Sequence, residues 1–198
     1  MKNVLINNGT LGRQGKTTLA YTIYQQVPGY HYITNDLGNA SVNLPQLIPK
    51  DKFSHYPNGV DFGLSHDERY IFDFGGKPDD RLIAIAQFVD LIIIPIAYQS
   101  ASELKISMAN INTFKKHNDN ILIVFNNTDS ADANLARIAL KSSGLEHPMM
   151  EIPPSKYIRR LANEDKTVFD VAKSNKADRT RLEKRVIPQM NELISWVR

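Results

Sequence analysis

The chain has 198 residues, is 42% hydrophobic, and carries 24 Lys/Arg against 21 Asp/Glu for a formal net charge of +3, with no cysteine. That excludes a disulfide framework, a cysteine metal site and a thiol nucleophile, while leaving enough apolar material for one substantial core. No apolar run approaches the roughly 20 residues of a membrane span, and the N-terminus runs straight into a strand without a signal-like segment, so a soluble cytoplasmic protein is expected.

Val4-Leu5-Ile6 reads as a buried strand. It leads into Gly9-Thr10-Leu11-Gly12-Arg13-Gln14-Gly15-Lys16-Thr17-Thr18, after which Leu19–Tyr24 has helical apolar spacing. Strand, glycine-rich loop, Gly-Lys-Thr and helix together make a phosphate cradle. Glycines let backbone N–H groups converge on an anion, and the helix turns its positive end toward it. Lys16 would reach the β- and γ-phosphates and the Thr17 hydroxyl would take a Mg²⁺ position. The loop is a variant, because Thr10 stands where the usual pattern has its first glycine.

Tyr30–Thr34 is a second expected strand, delivering Asp36 to the phosphate side. Residues 41–68, with Pro45, Pro49, Pro57, Gly59 and Gly63, read as short strands and turns. His55 and His66 there have no partner at metal-ligand spacing. Tyr70-Ile71-Phe72 delivers Asp73, followed by Phe74-Gly75-Gly76. In this Asp-x-x-Gly arrangement the acid can act on Mg²⁺, directly or through water, while the Gly76 N–H faces a γ-phosphate. A helix over Leu82–Phe88, a strand over Val89–Ile96, a Ser-capped helix over Ser102–Lys116 and a strand over Asn120–Phe125 ending at Asn126 come next. Then come a helix over Ala131–Ser143 stopped by Gly144, a short strand Met149–Ile152 before Pro153-Pro154, and a short helix over Tyr157–Asn163. A last helix over Asp178–Val197 is broken or kinked near Pro188.

Near-continuous apolar strands alternating with helices predict an α/β fold, a mostly parallel twisted sheet with helices on both faces. Ligands in such folds sit at the carboxyl ends of the strands, where Gly12–Thr18, Asp36, Asp73 and Asn126 all fall. With no repeat, low-complexity segment or linker, residues 1–198 are expected to form a single domain. The last 48 residues hold eleven Lys/Arg against seven Asp/Glu, leaving 13 against 14 in the rest. A basic C-terminal face could hold a polyanion or be an ordinary solvated helix surface.

These motifs together resemble the ParA/MinD family of deviant-Walker P-loop ATPases (SIMIBI type) over nearly the whole chain. Leu11–Thr18 lies over the family's Lys-Gly-Gly-x-Gly-Lys-Thr-Thr loop, Asp36-Leu37-Gly38-Asn39-Ala40-Ser41 over switch I, and Asp73–Gly76 over switch II. Asp90–Pro95 resembles its Asp-hydrophobic-Pro strand, and Ile152-Pro153-Pro154-Ser155, Ala162 and Lys166–Asp170 its C-terminal section. The resemblance implies ATP and Mg²⁺ as cofactors, Asp36 holding the attacking water, Asn126 contacting adenine, and Pro153 beside the nucleotide. It implies an ATP-dependent homodimer that binds DNA non-specifically, with Arg159, Arg160, Arg179 and Arg181 as candidate contacts. Hydrolysis, stimulated by an adaptor or cargo protein, would release it and position a plasmid or other cargo.

One departure is chemical: the family's loop Lys that reaches across the dimer is Leu11 here. Arg13, always charged and able to clamp phosphate bidentately, could replace it, as could a C-terminal lysine; otherwise Arg13 is a solvated loop residue. Two rivals remain open. Gly9-Thr10-x-x-x-x-Gly15-Lys16-Thr17 also resembles the loop of ATP-dependent ligases of the dethiobiotin synthetase type. Val186, Ile187, Met190, Leu193, Ile194 and Val197 share a helical face that reads as core packing or, in a MinD-like protein, as a membrane-binding stripe.

Overall fold

The computed structural model describes residues 1–38, 43–75, 78–155, 168–174 and 182–198. Its frame is a seven-stranded, all-parallel sheet of β1 (Val4–Ile6), β2 (Tyr30–Thr34), β3 (Phe53–His55), β4 (Arg69–Asp73), β5 (Leu91–Ile96), β6 (Ile121–Asn126) and β7 (Met149–Ile152). The strands lie in the order β3-β2-β4-β1-β5-β6-β7. β5 and β6 are buried along their whole length, as parallel strands covered on both faces must be.

Alternation divides the side chains between two cores. Val4 and Ile6 of β1 point into one, with Leu19, Ala20 and Ile23 of α1 (Lys16–Gln26), Val168 and Ala172 of α6 (Val168–Ser174), and the C-terminal helix α7 (Ile187–Val197). Leu5 points into the other, with Ile85 of α3 (Leu82–Phe88), Leu104, Ile111 and Phe114 of α4 (Ala101–Lys115), and Ala133, Ala136 and Leu140 of α5 (Ser130–Ser142). Each fully buried Leu or Ile contributes about 1.5–3 kcal/mol.

Pro95 sits inside a central strand, where a missing N–H normally breaks the ladder. The register explains why it is tolerated. Leu91 donates its N–H to Asn3 O and Ile92 to Asn120 O, so odd-numbered residues of β5 face β1. β1 ends opposite Ile93, so Pro95 faces no ladder, and its carbonyl accepts from Asn8 Nδ2 at 2.8 Å.

Most expected elements are present within a residue or two. The strand expected from Val89 begins at Leu91, because the Val89 N–H still caps α3 on Ile85 O. α4 starts after Ser100, whose hydroxyl accepts from Glu103 N–H, and α5 after Asp129, whose carboxylate accepts from Ala131 and Asp132 N–H. The described residues of 41–68 hold one α-helical turn, α2 (Leu44–Leu47), a 3-10 turn over Lys50–Lys52, and β3. α7 begins at Ile187 with Pro188 in its first turn, the break expected there. Met190, Leu193 and Val197 are fully buried against the sheet, so the apolar stripe of this helix is core. No helix among the described residues is long and apolar enough to cross a membrane. The helix expected over Tyr157–Asn163 lies outside the described residues.

Candidate active site

The register sets the functional residues in a row along the carboxyl edge. Ile6 pairs with Asp73, and Asp73 with Thr34, so the loop after β1, the acid ending β4 and the Asp36 turn after β2 are neighbours. On the other side of β1 come β5, then β6 ending in Asn126, which pairs with Ile152 just before Pro153. The chain leaves β1 toward β2 and leaves β4 toward β5 on opposite sides of β1, so the loop occupies the switch point of the sheet.

Gly15 is the N-cap of α1 in a left-handed conformation (φ 81°), and no side chain caps this helix. A Cβ on Gly15 would meet Asn126 Nδ2 at 2.0 Å. Asn126 donates from Nδ2 to Gln14 O at 2.9 Å, and its Oδ1 is buried without a hydrogen-bond partner among the described residues. Gln14 is buried and braces the loop against the segment after β5: its Oε1 accepts from Ala97 N–H at 2.6 Å and its Nε2 donates to Gly12 O at 3.1 Å. Asn7 fixes the start of the loop, accepting from Gly9 N–H at 2.6 Å and donating to Phe74 O at 3.0 Å. Gly12 is exposed with open space where a Cβ would stand, and Thr18 is half-buried in the first turn of α1.

Lys16 is only 7% exposed, and its Nζ donates to Leu11 O at 2.5 Å. Burial lowers its proton affinity, against the opposing pull of Asp73 and Asp36. Asp73 is fully buried, and burial pushes its pKa up to about 6, against hydrogen bonds from Tyr32 and Thr17 and the charge of Lys16. Tyr32 Oη donates to Asp73 Oδ2 at 2.8 Å. Tyr32, Asn7 and Asn35 were not expected in the site: nothing in an apolar strand or its ends marks which polar group turns inward.

The Thr17 hydroxyl and Asp73 carboxylate are hard oxygen donors in hydrogen-bond contact. One or two such protein ligands are what Mg²⁺ takes alongside phosphate and water, so these residues fit the ion. Among the described residues no group of three or more His, Cys, Asp or Glu could hold a metal by itself.

Asp36 is half-buried; its Oδ1 accepts from Gly38 N–H at 2.7 Å, and a Cβ on Gly75 would come within 2.7 Å of Asp36 Oδ2. Asn35 Oδ1 accepts from Gly75 N–H at 2.6 Å. Arg13 is exposed, also in a left-handed conformation (φ 57°), and no described residue pairs with its guanidinium. Pro153 is half-buried at the end of β7. Gly76, Arg159, Arg160, Arg179 and Arg181 lie outside the described residues.

The pKa of Asp73 gives a signed prediction for the protein without nucleotide. Between pH 4 and 6 the folded chain keeps a proton on Asp73 that the unfolded chain has lost, so this group's contribution to stability falls as pH rises through that window. Asp73→Asn removes the charge. Its Tm should rise relative to wild type by several degrees from pH 4 to pH 7, for about 2–3 kcal/mol of linkage. A gap that stays constant with pH, in thermal melts without Mg²⁺, would refute this.

No protein-family model and no curated protein matches the sequence. Solved structures do match. A ParA family ATPase from Chlorobium tepidum TLS is 17% identical, with 93% of this chain and 98% of that one covered at a TM-score of 0.55. MinD from Aquifex aeolicus is 14% identical over 98% of this chain and 94% of that one, at a TM-score of 0.60. A putative plasmid partition protein from Borrelia burgdorferi B31 bound to AMPPNP is 15% identical over 98% of both chains, at a TM-score of 0.57. The all-parallel sheet, the glycine loop at its switch point and these likenesses over nearly full length give this chain the fold of the ParA/MinD-like P-loop ATPases.

Proposed function

We propose that this chain is a single-domain ATPase of the ParA type, which dimerises with ATP, binds DNA non-specifically and positions a cargo through hydrolysis. The observation that carries the reading is the convergence of Gly15–Thr18, Asp73 and Asp36 at the carboxyl ends of three adjacent parallel strands, with Asn126 against the same loop.

The phosphates would enter at the N-terminus of α1, whose first-turn N–H groups have no partner within the helix. Lys16 exchanges its bond to Leu11 O for phosphate oxygens. Thr17 and Asp73 would hold Mg²⁺, which would supply neutralisation of developing phosphate charge. Asn126 and Pro153, at the ends of the neighbouring strands β6 and β7, would border the adenine. Asp36 orients the water whose oxygen attacks the γ-phosphorus. The bond to the β,γ-bridging oxygen breaks, ADP leaves, and the water proton goes to the departing phosphate.

Arg13 is held outward at the cradle's mouth in a conformation that costs a non-glycine residue about 1–2 kcal/mol. A partner's phosphate across an ATP sandwich would use that placement. Structural neighbours include a plasmid partition protein and a MinC:MinD cell division complex, so a DNA or adaptor partner is in keeping with the fold. The basic residues Arg159, Arg160, Arg179 and Arg181 are the candidate DNA contacts.

The test is the mass in solution by light scattering, with ADP and with AMPPNP plus Mg²⁺, followed by retention on duplex DNA of unrelated sequences at low and high salt. A dimer is expected only with AMPPNP, lost in Arg13→Ala, and the AMPPNP form should hold DNA with steep salt dependence and no sequence preference. One mass with both nucleotides would sink the sandwich and turn attention to a ligase. A dimer that survives Arg13→Ala would move the bridging charge elsewhere. An AMPPNP form that ignores DNA at low salt would remove the DNA part.

A further inference from the structure

Behind the row of reactive residues lies a buried polar hub that ligand binding alone does not call for. Asn35, between β2 and Asp36, is 9% exposed. Its amide makes three directed bonds: Oδ1 accepts from Gly75 N–H at 2.6 Å, and Nδ2 donates to Asp79 Oδ2 at 2.9 Å and to Asn58 Oδ1 at 3.1 Å. The orientation is forced, since a backbone N–H needs the oxygen and a carboxylate needs the nitrogen.

Asp79 is in turn held by a forked pair to Arg81, with Nε to Oδ1 at 2.8 Å and Nη2 to Oδ2 at 2.6 Å. Both side chains are largely buried. Burial raises the Asp79 pKa, but the bonds from Arg81 and Asn35 outweigh it and hold the carboxyl below its usual range. The Arg81 guanidinium lies 5.3 Å from the ring centres of both Phe62 and Phe74, and its Nη2 donates to Tyr56 O at 3.0 Å. One ion pair therefore anchors the end of β2, the segment 56–62 and the segment after β4.

We propose that Asn35 is a positioning residue that ties the Asp36 turn to the Gly75 loop, so that the two respond to a γ-phosphate as one body. The inference rests on the nucleotide reading above. Two features carry it. The Asn35 bond goes to the backbone of the loop following Asp73, so displacement of that loop is transmitted regardless of side-chain rotamers. Gly75 and Asp36 also lack room between them for even a methyl group, so a shift of either toward the other has to move both. The buried ion pair supplies a fixed point: Asn35 is oriented by Asp79, and Asp79 is immobilised by Arg81.

The test compares wild type, Asn35→Ala and Asn35→Asp. Asparagine-to-aspartate keeps an acceptor for Gly75 but sets a second carboxylate against Asp79. The readouts are Kd for ADP and for AMPPNP with Mg²⁺, kcat and KM for ATP, and Tm. In both variants the ADP affinity and KM are expected within about threefold of wild type, while kcat and the preference for AMPPNP over ADP each fall about tenfold, the scale of one directed hydrogen bond. A residue that merely supports the fold would lower Tm and weaken both nucleotides alike, and that result overturns the proposal, as does an unchanged kcat. Asn35→Ser gives the same reading should the alanine variant not fold. If wild type neither binds nor hydrolyses ATP, the nucleotide reading fails and takes this inference with it. If wild type turns over and the variants match it, only this inference fails.

Discussion

Lys16→Ala is expected to lower kcat/KM for ATP by roughly 10²–10³-fold, the scale of removing one preorganised charge-stabilising donor. Among the described residues, the Lys16 ammonium is the only cation buried beside Asp73, and Asp73 and Asp36 both favour its charged form. It already donates to a carbonyl of the loop it would serve, at 2.5 Å from Leu11 O, so little reorganisation separates that arrangement from a phosphate contact. The same burial predicts a modest effect on folding. Alanine removes a charge whose desolvation is costly and also loses the bond to Leu11 O, two changes of opposite sign. The net should be within about 1 kcal/mol, or roughly 2–4 °C in Tm for a chain of this size. Steady-state kinetics and a thermal melt decide it. A variant that melts like wild type and hydrolyses ATP at the wild-type rate would remove Lys16 from the mechanism. Arg13→Ala, on an exposed residue, should leave single-protomer nucleotide affinity unchanged, which separates the two cations.

The fold was legible in the sequence where one periodicity dominated. β5 and β6 are runs of Ile, Leu and Val too short for a helix and too apolar for a half-exposed strand, and both are buried throughout. Residues 41–68 were not legible in the same way. β3 is three half-buried residues at the sheet edge, and its place comes from pairing with Tyr32–Thr34 rather than from local pattern. In the site, placements that follow from local pattern were readable: Gly15 as the left-handed cap of α1, and Thr17 and Asp73 side by side where a glycine loop and an apolar strand end. Tyr32, Asn35 and Asp79 were not, because their partners lie on other strands or beyond the next loop, and no spacing within one segment encodes a hydrogen bond across two. Arg13 is the reverse case. Its backbone takes the left-handed conformation that favours glycine (φ 57°), and nothing in its side chain's identity signals that.

Gly15→Ala should be the most damaging single methyl among the described glycines, and the reason is geometric. At φ 81° an alanine costs about 1–2 kcal/mol before any contact is counted. Its Cβ would then stand 2.0 Å from Asn126 Nδ2 and 3.3 Å from Asn126 Cγ. The amide has to give way, and with it the bond to Gln14 O, leaving a buried carbonyl and a buried amide short of partners at about 1–3 kcal/mol. The sum, about 2–5 kcal/mol, corresponds to a fall in Tm of roughly 10 °C. Because Gly15 caps α1 and would also floor the proposed phosphate cradle, ADP and ATP affinities should fall together by about 100-fold or more. Asn126→Ala separates strain from clash. If the collision is the main cost, the double variant should be more stable than the two single losses predict, by about 1–2 kcal/mol of coupling. Gly12→Ala is the control, because a Cβ there meets nothing within 4 Å, and its Tm should stay within about 0.5 kcal/mol equivalent of wild type. Additive losses at 15 and 126 would mean that the amide relaxes freely, and the cradle would then not depend on the Asn126 contact that β6 delivers to it.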